Sequence, residues 1–184
     1  MIKELLFVFW FFGPAGLANV AAFFSGKIPF LKRYAYPVDF GRKLKGKRIL
    51  GSHKTIRGFV AGIIIAIAAV YLEIFLYTTM PWIRSIVPLD YTKINPILLG
   101  TLSGLGALAG DAIKSFFKRQ VNVPPGKSWV PFDQIDYIVG GIVFTMFYIR
   151  LTPMDYLWLF LLWSLMHPFT TFLGFVLRLK KSPL

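Results

Sequence analysis

Five apolar runs that approach the length that crosses a bilayer, the fourth of them short, constrain this chain more than any other feature. They cover residues 5–24, 59–77, 97–117, 135–149 and 156–177. A hydrocarbon core about 30 Å thick takes roughly 20 apolar residues in a helix. The composition agrees, with hydrophobic residues making up 56% of 184, above the roughly 45–50% of soluble domains. The expected fold class is therefore an all-α integral membrane protein with five transmembrane helices, forming one catalytic domain over 1–184. The first run is too long for a signal peptide and ends at Ser25-Gly26-Lys27 without a small-residue cleavage site, so it reads as a retained helix. Thr152-Pro153 between the fourth and fifth runs predicts a hairpin of two helices. Cysteine is absent, which excludes disulfides and thiolate metal sites.

Lysine and arginine set the orientation. Ten of the 21 lie between Lys27 and Arg57, four between Lys114 and Lys127, and three at Arg178, Lys180 and Lys181. Five spans place these together on one side and leave only Lys3, Arg84, Lys93 and Arg150 on the other. The N-terminus is thus expected outside, with the C-terminus and two functional loops in the cytoplasm. Most of the net charge of +13 is explained by this bias and by attraction to anionic lipid heads. No nucleic-acid motif accompanies it.

Against this background the stretch 110–136 stands out. It holds three of the eight acids, Asp111, Asp133 and Asp136, at the ends of two apolar runs. Ionisable groups at membrane helices are costly and point to function. Asp111, Ser115, Lys118 and Arg119 fall on one helical face, with Ile113, Phe116 and Phe117 opposite. Lys114 lies within i+3 reach of Asp111, so a plain ion pair is the simplest alternative for that acid. Helix capping explains Asp133 better than Asp136. Gly100, Gly104, Gly106 and Gly110 permit close helix contact. We favour a divalent metal site on the three acids, with neighbouring cations on phosphates.

The other half of such a site is expected in the first basic loop. Its glycines, Gly41, Gly46, Gly51 and Gly58, allow backbone amides near an anion. Lys54 and Arg57 sit where the second helix begins. The spacing is not that of a Walker A loop. His53 is more ordinarily a solvated loop histidine than a phosphate ligand.

The motifs Ser115-Phe116-Phe117-Lys118-Arg119 and Asp133-Gln134-Ile135-Asp136, with Asp111 four residues before the serine, resemble the signature of the phosphatidate cytidylyltransferase family. Gln134 replaces the signature arginine. Pro125-Gly126-Lys127-Ser128-Trp129 stands where a Gly-His-Gly-Gly stretch is usual. These differences, the short length and the string Ser52-His53-Lys54-Thr55-Ile56-Arg57-Gly58 are similar to the archaeal branch, the CDP-archaeol synthases. The resemblance implies an Mg²⁺-dependent nucleotidyltransferase. Its substrates would be CTP and an isoprenoid ether glycerophosphate, 2,3-bis-O-(geranylgeranyl)-sn-glycerol 1-phosphate, and its products CDP-archaeol and pyrophosphate. It implies catalytic and metal-binding roles for Asp111, Asp133 and Asp136, and a catalytic role for Lys118. Substrate contacts would come from Asp39, His53, Lys54, Thr55, Arg57, Ser115 and Arg119. Other readings are a CTP-dependent lipid kinase, a diacyl-type phosphatidate cytidylyltransferase and, outside enzymes, a small transporter or channel.

Overall fold

A computed structural model of the chain describes residues 1–124, 127 and 129–176; the side chains of 167, 168 and 170–176 lie outside that description. So do Pro125, Gly126 and Ser128, residue 177 of the expected fifth span, and the tail cations Arg178, Lys180 and Lys181. The element order is α1 (Ile2–Ser25), α2 (Pro29–Lys32), β1 (Lys43–Leu44), β2 (Lys47–Arg48), α3 (Ile56–Thr79), α4 (Pro81–Arg84), η1 (Tyr91–Lys93), α5 (Pro96–Gln120), α6 (Phe132–Thr145) and α7 (Pro153–Val176). Among the described residues, α1, α3 and α5 are long and apolar enough to cross a membrane.

The fourth expected span needs correction. Instead of 135–149, α6 runs over Phe132–Thr145, 14 residues, or about 21 Å of rise. Its end has a local cause. The Thr145 hydroxyl donates to the Gly141 carbonyl at 2.8 Å, a back-bond that competes with continuation of the ladder. The chain then tightens, with the Tyr148 and Ile149 amides both donating to the Thr145 carbonyl. The expected hairpin follows. Thr152 and Asp155 cap α7 reciprocally, Asp155 N–H to Thr152 Oγ1 at 3.1 Å and Thr152 N–H to Asp155 Oδ2 at 3.2 Å.

Helix α1 is the hub and packs against α3, α5, α6 and α7. Its inward face carries Phe7, Val8, Phe11, Phe12, Ala15 and Ala18, while Phe9, Leu17, Val20 and Phe23 stay exposed. An apolar helix surface all round is what a lipid-embedded element requires. Trp163 of α7 fills the space left by Gly16, and its indole N–H donates to the Val8 carbonyl at 3.3 Å.

Helix α5 uses its glycines on two faces. Gly100 and Gly104 lie against Ile67, Ala66 and Ile63 of α3. Gly106 and Gly110 lie against α6, where an added Cβ on Gly106 would stand 2.6 Å from the Gly140 carbonyl oxygen. A Cβ on Gly110 would collide with the Asp136 backbone carbonyl. The two helices therefore meet backbone to backbone, one residue from Asp111 on one side and at Asp136 on the other.

The long loop between α2 and α3 is folded. Val38 N–H donates to the Lys54 carbonyl at 2.8 Å, and Ile56 N–H to the Tyr36 carbonyl at 2.9 Å. β1 and β2 pair with Leu44 opposite Lys47. The turn residues Lys45 and Gly46 both have positive φ, 49° and 81°, the pattern of a two-residue type I′ hairpin. Asp39 binds the loop together. Its Oδ1 accepts from Gly41 N–H and from Arg48, each at 3.0 Å, and its Oδ2 from Leu50 N–H at 2.8 Å. Lys47 then ties the loop to α5 by donating to the Gln120 carbonyl at 2.6 Å.

Two outcomes are expected. Gly110→Ala should lower thermal stability of the purified protein by about 1–3 kcal/mol, the range for overpacking, and should also reduce activity, because Asp136 is displaced. For Asp39, burial raises the carboxyl pKa, but the amides of Gly41 and Leu50 and the Arg48 guanidinium outweigh it and hold the pKa below its ordinary value. A lowered folded pKa favours the ionised form, so this stabilisation is complete above about pH 4 and is lost as pH falls through the folded value. The protection factor of the Leu50 N–H, its exchange relative to an unstructured amide at the same pH, should fall in that acid range, and Asp39→Asn should show the lower protection already at neutral pH.

Candidate active site

Lys114, one turn along α5 from Asp111, gathers the three acids. Its ammonium lies 3.1 Å from Asp111, 2.9 Å from Asp133 and 2.8 Å from Asp136. Two further lysines close the cluster. Lys54, at the end of the loop before α3, forms an ion pair with Asp111. Lys118 donates to both oxygens of Asp133, at 3.2 and 3.0 Å. Three carboxylates thus face three ammoniums, drawn from the first loop, α5 and α6. The Asp136 side chain is the most enclosed of the acids, at 6% exposure, while Asp111 and Asp133 keep 18% and 19%.

Each acid is positioned by its element. Asp111 and Lys114 share a face of α5 by i+3 spacing. Asp133 and Asp136 share the first turns of α6. Asp133 does not cap its own helix; its Oδ2 accepts from Trp129 N–H at 2.5 Å in the loop before it. Asp136 Oδ1 accepts from the adjacent Tyr137 N–H at 2.7 Å.

The other residues singled out in the sequence spread around this centre. Ser115 is buried and its Oγ accepts from Gly51 N–H at 3.3 Å, joining loop to helix. Thr55 is buried as the N-cap of α3 and accepts from Gly58 N–H at 3.3 Å. Arg57 donates to the Leu31 carbonyl at 2.7 Å, so it braces α2 against α3. Among the described residues no ion pair reaches Arg119, and its Nε is buried without a partner. His53 is exposed at the loop surface. The amides of Gly41, Gly51 and Gly58 are taken by Asp39, Ser115 and Thr55. These glycines serve turns and packing instead of an open anion nest.

The sequence pointed to Lys114 only as a partner of Asp111. Its reach to Asp133 and Asp136 depends on how α6 lies against α5, which no spacing within α5 encodes. Glu73 went unremarked inside the second apolar run, yet its side chain is buried between helices, with Oε1 facing Gly13.

Among the described residues no three acids stand as a ready-made metal cage; the Lys114 ammonium lies within 3.1 Å of all three. The donor chemistry nevertheless suits a hard divalent cation, being all carboxylate oxygen from two rigid helices. Exposed Ile113 and Phe117 flank the cluster on α5. Three ammoniums, three carboxylates and an exposed apolar helix surface thus adjoin one another at the basic end of the bundle.

Comparison with known proteins identifies the group to which this arrangement belongs. The family model described as CarS-like, CDP-archaeol synthase, matches residues 1–184. CDP-archaeol synthase of Methanospirillum hungatei is 35% identical over 92% of this chain and 98% of its own length. That of Methanosarcina mazei is 37% identical over 92% and 98%, and that of Pyrococcus horikoshii 31% over 99% and 98%. A solved structure described as an intramembrane enzyme for archaeal membrane lipids biosynthesis is similar with a TM-score of 0.70 and 27% identity, over 89% of this chain and 91% of that one. With the whole chain matched and relatives sharing a third of its residues, this membrane protein belongs to the CDP-archaeol synthase family of cytidylyltransferase enzymes.

Proposed function

We propose that the chain transfers the cytidylyl group of CTP to an isoprenoid ether glycerol phosphate, forming CDP-archaeol and pyrophosphate. The observation that carries this reading is the convergence of Asp111, Asp133 and Asp136 with Lys54, Lys114 and Lys118 beside an exposed apolar helix face. Relatives and the structural neighbour support it through the activities in their names. In five spans with the N-terminus outside, this site lies at the cytoplasmic face, where CTP is available.

The nucleophile is an oxygen of the lipid phosphate monoester, already anionic near neutral pH. It forms a bond to the α-phosphorus of CTP. The bond from that phosphorus to the α,β-bridging oxygen breaks, and pyrophosphate leaves with the electron pair. No side-chain nucleophile or strong base is required, so catalysis rests on placement and charge neutralisation. Lys54 and Lys118 hold phosphate oxygens and stabilise charge on the departing pyrophosphate. Asp111, Asp133 and Asp136 are the residues that would hold Mg²⁺, which when bound neutralises the triphosphate and polarises the reacting phosphorus. Ser115 and Thr55 keep the loop and the start of α3 in place. The lipid tails lie along the bilayer side of α5, near Ile113 and Phe117.

The decisive experiment incubates purified protein with labelled CTP, Mg²⁺ and a panel of lipid phosphates and lipid alcohols. CDP-lipid and pyrophosphate are expected with the ether-isoprenoid phosphate. Release of CDP from a lipid alcohol would instead mean a kinase, and equal use of diacyl phosphatidate would remove the tail assignment. Asp133→Asn and Asp136→Asn should each lower the rate ~100-fold or more, the scale for losing a preorganised electrostatic group. Full activity in both folded variants would sink the carboxylate assignment.

A further inference from the structure

Lys114 is an odd occupant for the centre of a metal site. Its ammonium has three N–H donors, and three carboxylates from two helices stand within 3.1 Å of it. All three therefore stand at ion-pair distance from a single ammonium. An Mg²⁺ ion would sit 2.0–2.1 Å from such oxygens, so the same carboxylates need shift inward by only about 1 Å to close on a metal at this point. The ammonium and the metal cannot share it.

Charge decides when the exchange happens. Asp111, Asp133 and Asp136 are balanced by Lys54, Lys114 and Lys118. A bare divalent ion entering this neutral cluster would leave two uncompensated positive charges in a largely enclosed space, and such charges are costly. It would also compete with an ammonium tethered to the same helix. A metal accompanied by a triphosphate brings its own negative charge. The displaced ammonium, on its flexible four-carbon stem, then has phosphate oxygens to turn to.

Resting on the proposed function, we infer that Lys114 is a tethered placeholder cation. It holds the three carboxylates together in the free protein and yields their centre only when metal and nucleotide bind together. Metal and nucleotide are then cooperative, each tightening the other by the same factor. Lys114 acts here as a positioning residue for the metal site. The simpler alternative is a permanent ion bridge between α5 and α6, which never leaves.

The test measures Mn²⁺ binding by electron paramagnetic resonance to the full chain in detergent without nucleotide, comparing the protein with Lys114→Met and Lys114→Arg. Lys114→Met keeps the length but removes the competitor, and should bind Mn²⁺ alone about tenfold tighter or more, within the usual range of coupling between two ligands. Lys114→Arg keeps the charge with more donors, and should bind it more weakly than the unaltered chain. If Lys114→Met fails to fold, the arginine variant decides by itself, because equal or tighter Mn²⁺ binding in it overturns the placeholder. Unchanged or weaker Mn²⁺ binding in a folded Lys114→Met also overturns it, while leaving a metal-dependent reaction intact. Should none of the three proteins bind Mn²⁺ even with a non-hydrolysable CTP analogue present, both the placeholder and the metal assignment under the proposed function fall together.

Discussion

The close approach of α5 and α6 is the constraint on which the rest depends. Gly106 and Gly110 on one helix and Gly140 on the other leave no room for a β-carbon between them. In lipid, apolar burial gives little reason for two helices to associate, so dense packing of small residues is what holds them. That packing also fixes the depth at which Asp111 and Asp136 meet. The clustered carboxylates are therefore located by backbone contacts, and side-chain rotamers only refine the result.

Given that contact, the electrostatics follow. Three carboxylates within reach of one point repel strongly at low dielectric, and the protein answers with three ammoniums in the same cluster. One comes from α5's own next turn, one from the turn after that and one from the first loop. The loop's contribution needs a rigid support, which the Asp39 carboxylate provides through Arg48, Gly41 and Leu50. Lys47 and Ser115 then fasten the loop to α5. The cluster is neutral and internally paired, and under the proposed function its groups are those that a metal and a triphosphate would recruit.

Several features were legible in the sequence because they depend on local period or on solvent. The helices, the α6–α7 hairpin and the exposed Ile113 and Phe117 follow from hydropathy and the 3.6-residue repeat. The family signature located Asp111, Asp133 and Asp136. What could not be read was the division of labour inside the first loop. Gly41, Gly51 and Gly58 looked like amide donors for an anion, yet each amide is taken by a side chain of the protein itself. Arg57 looked like a phosphate ligand, and its guanidinium reaches the Leu31 carbonyl. Hydrogen-bond partners 26 and 64 residues apart, as for Arg57 and Gly51, leave no signature in spacing. The end of α6 was missed for a related reason, since a Thr145 hydroxyl and a tight turn shorten a run that hydropathy alone would continue.

By itself the sequence determined that the chain is a membrane protein, that its acids are few and grouped, and that its cations cluster in a few segments between apolar runs. Those are matters of transfer free energy and composition, which act residue by residue. Only the tertiary structure decided that Lys114 stands among all three acids and that Lys54 reaches Asp111 across 57 residues. That outcome needs two helices at glycine distance and a loop folded back on its own buried carboxylate. Both are long-range agreements between surfaces, and no local pattern specifies them.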